Sequence, residues 1–393
     1  MPVINGAVRA RCAAFAFLCA ASLFVWQSLT VHFSYAGNWT GLFCTGARYF
    51  APPAELQSEH IYVSPNTFGY DGQAYHYIAH DPFLRRGFAR SVDAPRLRYR
   101  RILVPGLAWL LAGGDDQRID VAYICVVLGF VLLGAYWTGR YAALLGYPPG
   151  LGLSFALVPA VLISIDRLTV DVALAACCVG FALYTREWRP VKLYPVLVAA
   201  ALSRETGSLL IAACVIWLLF ERRFRDALLF ATAAIPAACW YVFVQLHTAP
   251  VSVHLLTLLL FSGIVGRIIH PLALPTSPSI RILADVLDLL ALGGIATALL
   301  WAFRRALRRV LTPLSIAIYA FALLTSVLAP GDTWSDVYSF GRTLTPLLLL
   351  CALDGLAERR TWPVIAMLAV DPRIGLSMGR QMLTILRGLA SLL

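Results

Sequence analysis

The stretch IDVAYICVVLGFVLLGAYWT, residues 119–138, carries one charge, Asp120, and is otherwise almost without groups that water would hydrate. A helix of that length, rising ~1.5 Å per residue, crosses the ~30 Å hydrocarbon core of a bilayer. Working outward, the runs 151–165, 226–246, 283–303 and 311–329 repeat the pattern at or near spanning length. Of the 393 residues, 60% are apolar and 13% charged, and the mean hydropathy is +0.74, far from the range of water-soluble domains. In hydrocarbon a chain has to satisfy its own backbone hydrogen bonds, so helices are the expected form. The sequence therefore predicts an all-α integral membrane protein with about ten transmembrane helices. The first apolar stretch, 12–31, follows Arg9 and Arg11 and has no small-residue cleavage site, so it reads as an uncleaved first span.

Short loops rich in Lys and Arg stay in the cytoplasm. Six clusters qualify: Arg9 and Arg11; Arg140; Arg186, Arg189 and Lys192; Arg222, Arg223 and Arg225; Arg304, Arg305, Arg308 and Arg309; Arg359 and Arg360. All fit inside at once only if 193–220 is a hairpin bent at Ser203-Arg204-Glu205-Thr206-Gly207. The N-terminus is then cytoplasmic, and residues 32–118 form one large first extracytoplasmic loop. The loop around Asp166, Arg167 and Asp171, together with residues 247–282 and 330–341, falls on the same outer side. Residues 102–112 are too short to span and read as a half-helix or interfacial helix, as does 252–270. Residues 1–360 are expected to form one polytopic membrane domain and 361–393 a C-terminal interfacial or cytoplasmic tail. From 374, with Arg380 and Arg387, that tail resembles a cationic helix lying on the inner surface.

The net charge of +11 is almost all arginine, Lys192 being the only lysine. No water-soluble domain presents these cations as a basic face, so no nucleic-acid partner is expected; arginines between apolar runs instead fit membrane orientation and contact with lipid phosphate. Eight of nine cysteines lie in or beside apolar segments and only Cys44 lies in the long loop, so neither a disulfide framework nor a CxxC metal site follows.

All seven histidines and most of the remaining acids fall on or near the outer side. Ionisable groups are costly beside hydrocarbon, so their gathering at one interface argues for a shared hydrated cavity, or simply for helix ends. The densest segment is Phe68-Gly69-Tyr70-Asp71-Gly72-Gln73-Ala74-Tyr75-His76-Tyr77-Ile78-Ala79-His80-Asp81-Pro82. Asp71 either caps a helix beginning at Gly72 or stands at its exposed start as a reactive acid, and Pro82 ends the helix. His76 and His80, four apart, share a helix face and with Asp81 are weak candidates for a divalent metal. The run Arg96-Leu97-Arg98-Tyr99-Arg100-Arg101 re-enters an apolar segment, where a guanidinium fork suits a lipid phosphate or an ordinary headgroup. Arg204 with Glu205 makes a charged pair in the hairpin bend, and Asp332, Asp336 and Arg342 can reach the same face. Trp334 and Tyr338 read equally as interfacial anchors or as sugar-stacking rings.

Three loop motifs, Phe43-Cys44-Thr45-Gly46, Tyr70-Asp71-Gly72-Gln73 with Tyr75 and Asp81-Pro82, and Arg100-Arg101-Ile102-Leu103 with Pro105, resemble a bacterial family of multi-pass proteins that form cell-surface glycopolymers. The bend 203–207, and Arg342 with Pro346, resemble the same family, over about residues 10 to 356. More distantly the chain is similar to the GT-C glycosyltransferases, whose helices carry a large first external loop with an essential acid. The resemblance implies a GT-C-like fold in the bacterial inner membrane, with Asp71 as catalytic acid and Asp81 second. Gln73, Tyr75, Arg98, Arg100, Arg101, Arg204, Glu205 and Arg342 would bind substrate. It implies a polyprenyl-phosphate-linked sugar as donor, a glycan or glycolipid as acceptor, and no required cofactor, a divalent metal being compatible. A transporter or flippase for a lipid-linked glycan, or a non-catalytic assembly subunit, would share these features.

Overall fold

The computed structural model describes residues 5–250, 255–271 and 277–391. Residues 251–254, with His254, and 272–276, all in the expected outer stretch 247–282, lie outside the described residues. The architecture is nearly all-α. α1 (Gly6–Ser34) starts where the Asn5 side chain accepts the Val8 N–H at 2.9 Å, satisfying one free donor of the helix start. In the loop that follows, β1 (Thr45–Gly46) pairs in parallel with β2 (Val63–Ser64), and α2 (Asp71–His80) is buried from Gly72 to His80. α3 (Pro95–Arg98) leads into α4 (Leu103–Ala112), a short apolar helix at the run expected to be a half-helix or an interfacial helix. α5 (Asp116–Leu144) runs back antiparallel to α1, with Gly139 against Cys12. The segment Pro149–Leu157 and α6 (Pro159–Arg167) make a pair bent by 60°. Its Phe155 ring packs on α5 only because residue 134 is glycine, where a Cβ would stand 2.1 Å from the ring.

α7 (Asp171–Glu187) is buried over its whole length to Tyr184 and forms the axis of the bundle. α8 (Pro190–Ser203) and α9 (Ser208–Phe220) make a hairpin, because Arg204 adopts extended backbone and breaks the helix. Their far ends meet again, the Trp188 and Trp217 rings lying 5.2 Å apart with the Arg223 guanidinium 4.3 Å over Trp188. α10 (Phe224–Ala231) and α11 (Ile235–His247) continue as one apolar helix. α12 (Ser262–Ile269) precedes α13 (Pro278–Leu307), α14 (Pro313–Val327), α15 (Val337–Ala357), α16 (Trp362–Leu368) and α17 (Asp371–Ala390).

Among the described residues, five helices, α1, α5, 224–247, α13 and α15, are long and apolar enough to cross a membrane, or six if the bent pair counts as one span. α4, α8, Glu205–Phe220 and α14 are apolar but shorter. The expected ten or so full-length spans are thus reduced, because prolines and the break at Arg204 cut several apolar runs below the length that hydrophobicity alone implied. The outward faces are apolar: Phe17, Val121, Leu228, Val242, Leu289 and Phe303 are all exposed. Large exposed apolar faces around a bundle with charges inside are compatible with a membrane protein.

The bundle has two chemically distinct ends. At one, Arg140 pairs with Glu187 at 2.6 Å, Arg305 with Glu358 at 2.8 Å, and Arg359 donates to the Leu145 carbonyl, so these basic clusters gather together. At the other stand Tyr35, the folded loop, Asp171, Arg204 and Arg342. The C-terminal tail departs from expectation. Rather than lying at the basic end as an inner-surface helix would, α17 packs Gly388 against Phe33, and Gln381 donates to the Tyr35 hydroxyl at 3.4 Å. Ile374, Met378 and Ile385 are buried against the bundle, while Met382, Leu383, Leu386 and Leu389 remain exposed as an apolar stripe.

Candidate functional site

Asp71 is the first residue of α2, and Tyr70 holds the capping position without a side-chain cap bond. The capping alternative for Asp71 is therefore set aside, as is its exposed stance: its side chain is 11% exposed and its Oδ2 accepts hydrogen bonds from Arg98 and Arg342. Burial pushes the Asp71 carboxyl up, but the Arg342 and Arg98 guanidiniums outweigh it and hold it well below the usual carboxylate range. The carboxylate is ionised at any physiological pH.

Arg98 also forks onto Asp93, at 3.0 and 2.7 Å. Arg342 reaches toward Asp171 at 3.6 Å, and Asp171 pairs with Arg204. The result is a chain of charges, Asp93, Arg98, Asp71, Arg342, Asp171, Arg204, drawn from α2, α3, α7, α15, the bend after α8 and the loop. Beside it, Arg101 meets Glu205 at 3.2 Å and donates to the Tyr75 hydroxyl at 3.0 Å. This corrects the pairing read from the sequence: Arg204 takes Asp171 rather than its neighbour Glu205, and Arg101 has an acidic partner. Arg100 lies 5.6 Å over the Tyr241 ring. Several buried N–H groups here lack an acceptor, namely Nε and Nη1 of Arg342, Nε of Arg204 and Nε of Arg100.

Gln73 does not face this chain. Its Oε1 accepts the Gly46 N–H at 3.1 Å and its Nε2 donates to the Phe68 carbonyl at 3.3 Å, fixing the loop around Asp71. Asp81 accepts backbone N–H bonds from Arg85 at 2.7 Å, Arg86 at 3.0 Å and Phe88 at 3.3 Å. A carboxylate committed to three backbone donors organises a turn, and its place as second reactive acid or as metal ligand is withdrawn. Tyr338 donates to Asp166 at 2.9 Å and Trp334 is buried, so neither ring is an exposed platform. Tyr49 and Phe68, 48% and 65% exposed, line a cavity of about 150 Å³ together with Tyr70, Asp71, Gln73, Asp93 and Arg98. A larger cavity of about 450 Å³, between 51–55 and 85–91, shares no lining residue with it.

Gly72 sets the depth of α2, since a Cβ there would stand 2.2 Å from the Arg167 carbonyl. Gly72→Ala is expected to push the helix start outward at a cost of roughly 1–3 kcal/mol, read as a fall in melting temperature in detergent together with lost function.

His76 and His80 lie on the other face of α2. His76 Nε2 is 2.6 Å from Asp120 Oδ1, and His80 Nδ1 is 2.8 Å from Asp116 Oδ1. With Glu59 they form a cluster able to hold a metal ion, Glu59, His76, His80 and Asp120. Burial and the neighbouring His76 lower the His80 pKa to about 4, whereas burial and the Asp120 charge raise that of Glu59 to about 7. Sequence reading missed Glu59, Asp93, Asp116 and Asp120, and left Asp171 without a role. Asp116 and Asp120 did carry a signal, a spacing of four that matches His76 and His80. Compared with family models, with curated proteins and with solved structures, the chain matches none.

Proposed function

We propose that this chain is a GT-C-type glycosyltransferase of the bacterial inner membrane, N-terminus inside and loop 32–118 outside, that moves a sugar from a polyprenyl-phosphate-linked donor to a cell-surface glycan or glycolipid. The shorter helices α4, α8, Glu205–Phe220 and α14 then sit beside the full spans, bringing the apolar helices to about ten. The observation that carries this reading is the pair of buried guanidiniums with donors lacking acceptors, Arg342 and Arg204, in the charge chain of an ionised carboxylate that lines an aromatic-walled cleft. Phosphate oxygens are the acceptors such forks fit best.

As the donor phosphate draws N–H groups of Arg342 and Arg98 to itself, Asp71 loses part of its clamp and becomes more basic. It takes the proton of the acceptor hydroxyl while that oxygen bonds to the anomeric carbon and the bond from that carbon to the phosphate oxygen breaks. The arginines stabilise the charge on the leaving phosphate. Tyr49 and Phe68 offer apolar faces to the C–H side of the acceptor sugar. Tyr75 and Glu205 keep Arg101 in place, and no cofactor is needed for the step.

A transporter or flippase reading draws on one feature, Asp288 buried between Arg267 and Arg373 within the bundle. Purified protein in vesicles, given a synthetic polyprenyl-phosphate sugar and an acceptor glycan, separates the readings. New glycosidic product supports the transferase; movement of the lipid without product supports the transporter; neither, in folded protein, leaves an assembly subunit. The orientation has its own check, with the exposed Cys125 and Cys239 replaced. Ser58→Cys and Ser335→Cys are expected to react with an impermeant maleimide on intact spheroplasts, and Arg308→Cys only after permeabilisation. The reverse pattern would invert the topology.

A further inference from the structure

We propose that Glu59, His76, His80 and Asp120 hold one divalent transition-metal ion of the zinc class, which clamps the loop after α1 onto the start of α5. Their ligand atoms all lie within 4.8 Å of one another. His80 Nε2 is 3.3 Å from His76 Nε2 and 3.3 Å from Glu59 Oε2. Metal–ligand bonds of ~2.0–2.1 Å in a tetrahedral site put neighbouring ligand atoms about 3.3 Å apart; the two His80 spacings match this, and the His76–Asp120 contact of 2.6 Å has to lengthen as the ion enters.

The hydrogen bonding points the same way. His80 gives its Nδ1 proton to Asp116, which Arg86 holds at 2.7 Å, so its Nε2 presents a lone pair to the centre. That carboxylate, imidazole, metal relay is how ligand histidines are oriented in metal sites. Glu59 is 9% exposed and both its oxygens are buried without a donor, the 3.3 Å approach to His80 not being aligned as a hydrogen bond. One proton on His76 Nε2 can serve Asp120 only. Glu59 and His80 are left as converging acceptors, an arrangement that costs free energy unless a proton on Glu59 or a cation at the centre relieves it.

Two imidazoles and two carboxylates favour zinc and its neighbours; magnesium and calcium prefer oxygen ligands alone. Four protein ligands close the sphere, as in a structural site. His76 is five residues along α2 from Asp71, roughly 7.5 Å of helix rise, so the ion positions the helix that carries Asp71 and stays clear of the reacting atoms. The inference stands independently of the transferase reading.

Tag-free full-length protein, stripped with chelator and titrated with Co²⁺, should take up one equivalent per chain and develop the intense visible bands of tetrahedral cobalt; Zn²⁺ should bleach them and excess Mg²⁺ should not. Asp116→Asn is expected to weaken Co²⁺ binding about 10–100-fold, and His76→Gln with His80→Gln to abolish the bands. If the double variant fails to fold, the near-isosteric Glu59→Gln carries the test, with weaker binding and an altered spectrum expected. Wild-type protein that takes up no Co²⁺, or a folded double variant or Glu59→Gln with unchanged affinity and spectrum, would overturn the proposal. Asp71→Asn protein should bind Co²⁺ as the wild type does, which keeps failure of the metal site distinct from failure of the transferase.

Discussion

Asp71→Asn is expected to lower sugar transfer by roughly 10²–10⁴-fold, the usual worth of a positioned proton acceptor, even when donor and acceptor are saturating. The amide keeps the shape and loses the charge, so it also loosens the clamp: removing one partner of a buried ion pair costs ~3–5 kcal/mol at most sites, and Arg98 retains Asp93 while Arg342 retains Asp171. A fall in melting temperature should accompany the loss of activity. The two effects separate in Asp71→Glu, which keeps the charge and moves the carboxylate by one methylene. That variant should remain close to wild-type stability yet transfer sugar poorly, because proton transfer depends on reach while ion pairing tolerates some displacement. Near-normal product from folded Asp71→Asn would remove Asp71 from the chemistry. The pH dependence follows the same carboxylate. Its pKa is depressed in the folded state, so the stability it contributes is complete above the ordinary value of 3.8 and is lost only in stronger acid. No acid limb from this group should appear in a stability profile between pH 5 and pH 8.

Arg342→Gln should have the second largest effect, because one guanidinium serves both Asp71 and Asp171 and still holds Nε and Nη1 without acceptors. A charge-assisted hydrogen bond is worth ~1.5–3 kcal/mol, about 10-fold to over 100-fold in affinity. Competition with unlabelled polyprenyl phosphate would measure the loss. Arg342→Lys keeps the charge without the planar fork, and recovery of folding but not of donor affinity is the outcome that assigns Arg342 to phosphate. Unchanged affinity in both variants, with stability reduced, would make it a strut between α15 and α2.

The parts legible in the sequence were those set by local chemistry. The run 119–138 gave the solvent, Pro82 gave the end of α2, and the basic loops on either side of 193–220 required a turn where Arg204 breaks the chain. Partners distant in sequence were not legible. Arg204 meets Asp171 across 33 residues and Arg101 meets Glu205 across 104, and nothing local prefers these over the adjacent pair Arg204 and Glu205. Length failed for a related reason: hydrophobicity marks where a chain tolerates lipid, and says little about where Pro159, Pro190 or Pro313 starts a new helix. The place of α17 rests on contacts that no local pattern announces, Gly388 on Phe33 and Gln381 on Tyr35, while Met382, Leu383 and Leu386 still face outward.

The hairpin of α8 and α9 has a consequence for the lipid around it. At 14 and 13 residues these helices rise only ~20 Å against a hydrocarbon layer of ~30 Å, and α9 turns Ile216, Leu219 and Phe220 outward. Such mismatch is relieved when the surrounding leaflet thins, at a fraction of a kcal/mol per Å. A dimple of that kind beside Arg204 would bring phosphate headgroups down to the level of the arginines without lifting their tails out of the membrane, making acyl-chain length a control on how readily the site is reached.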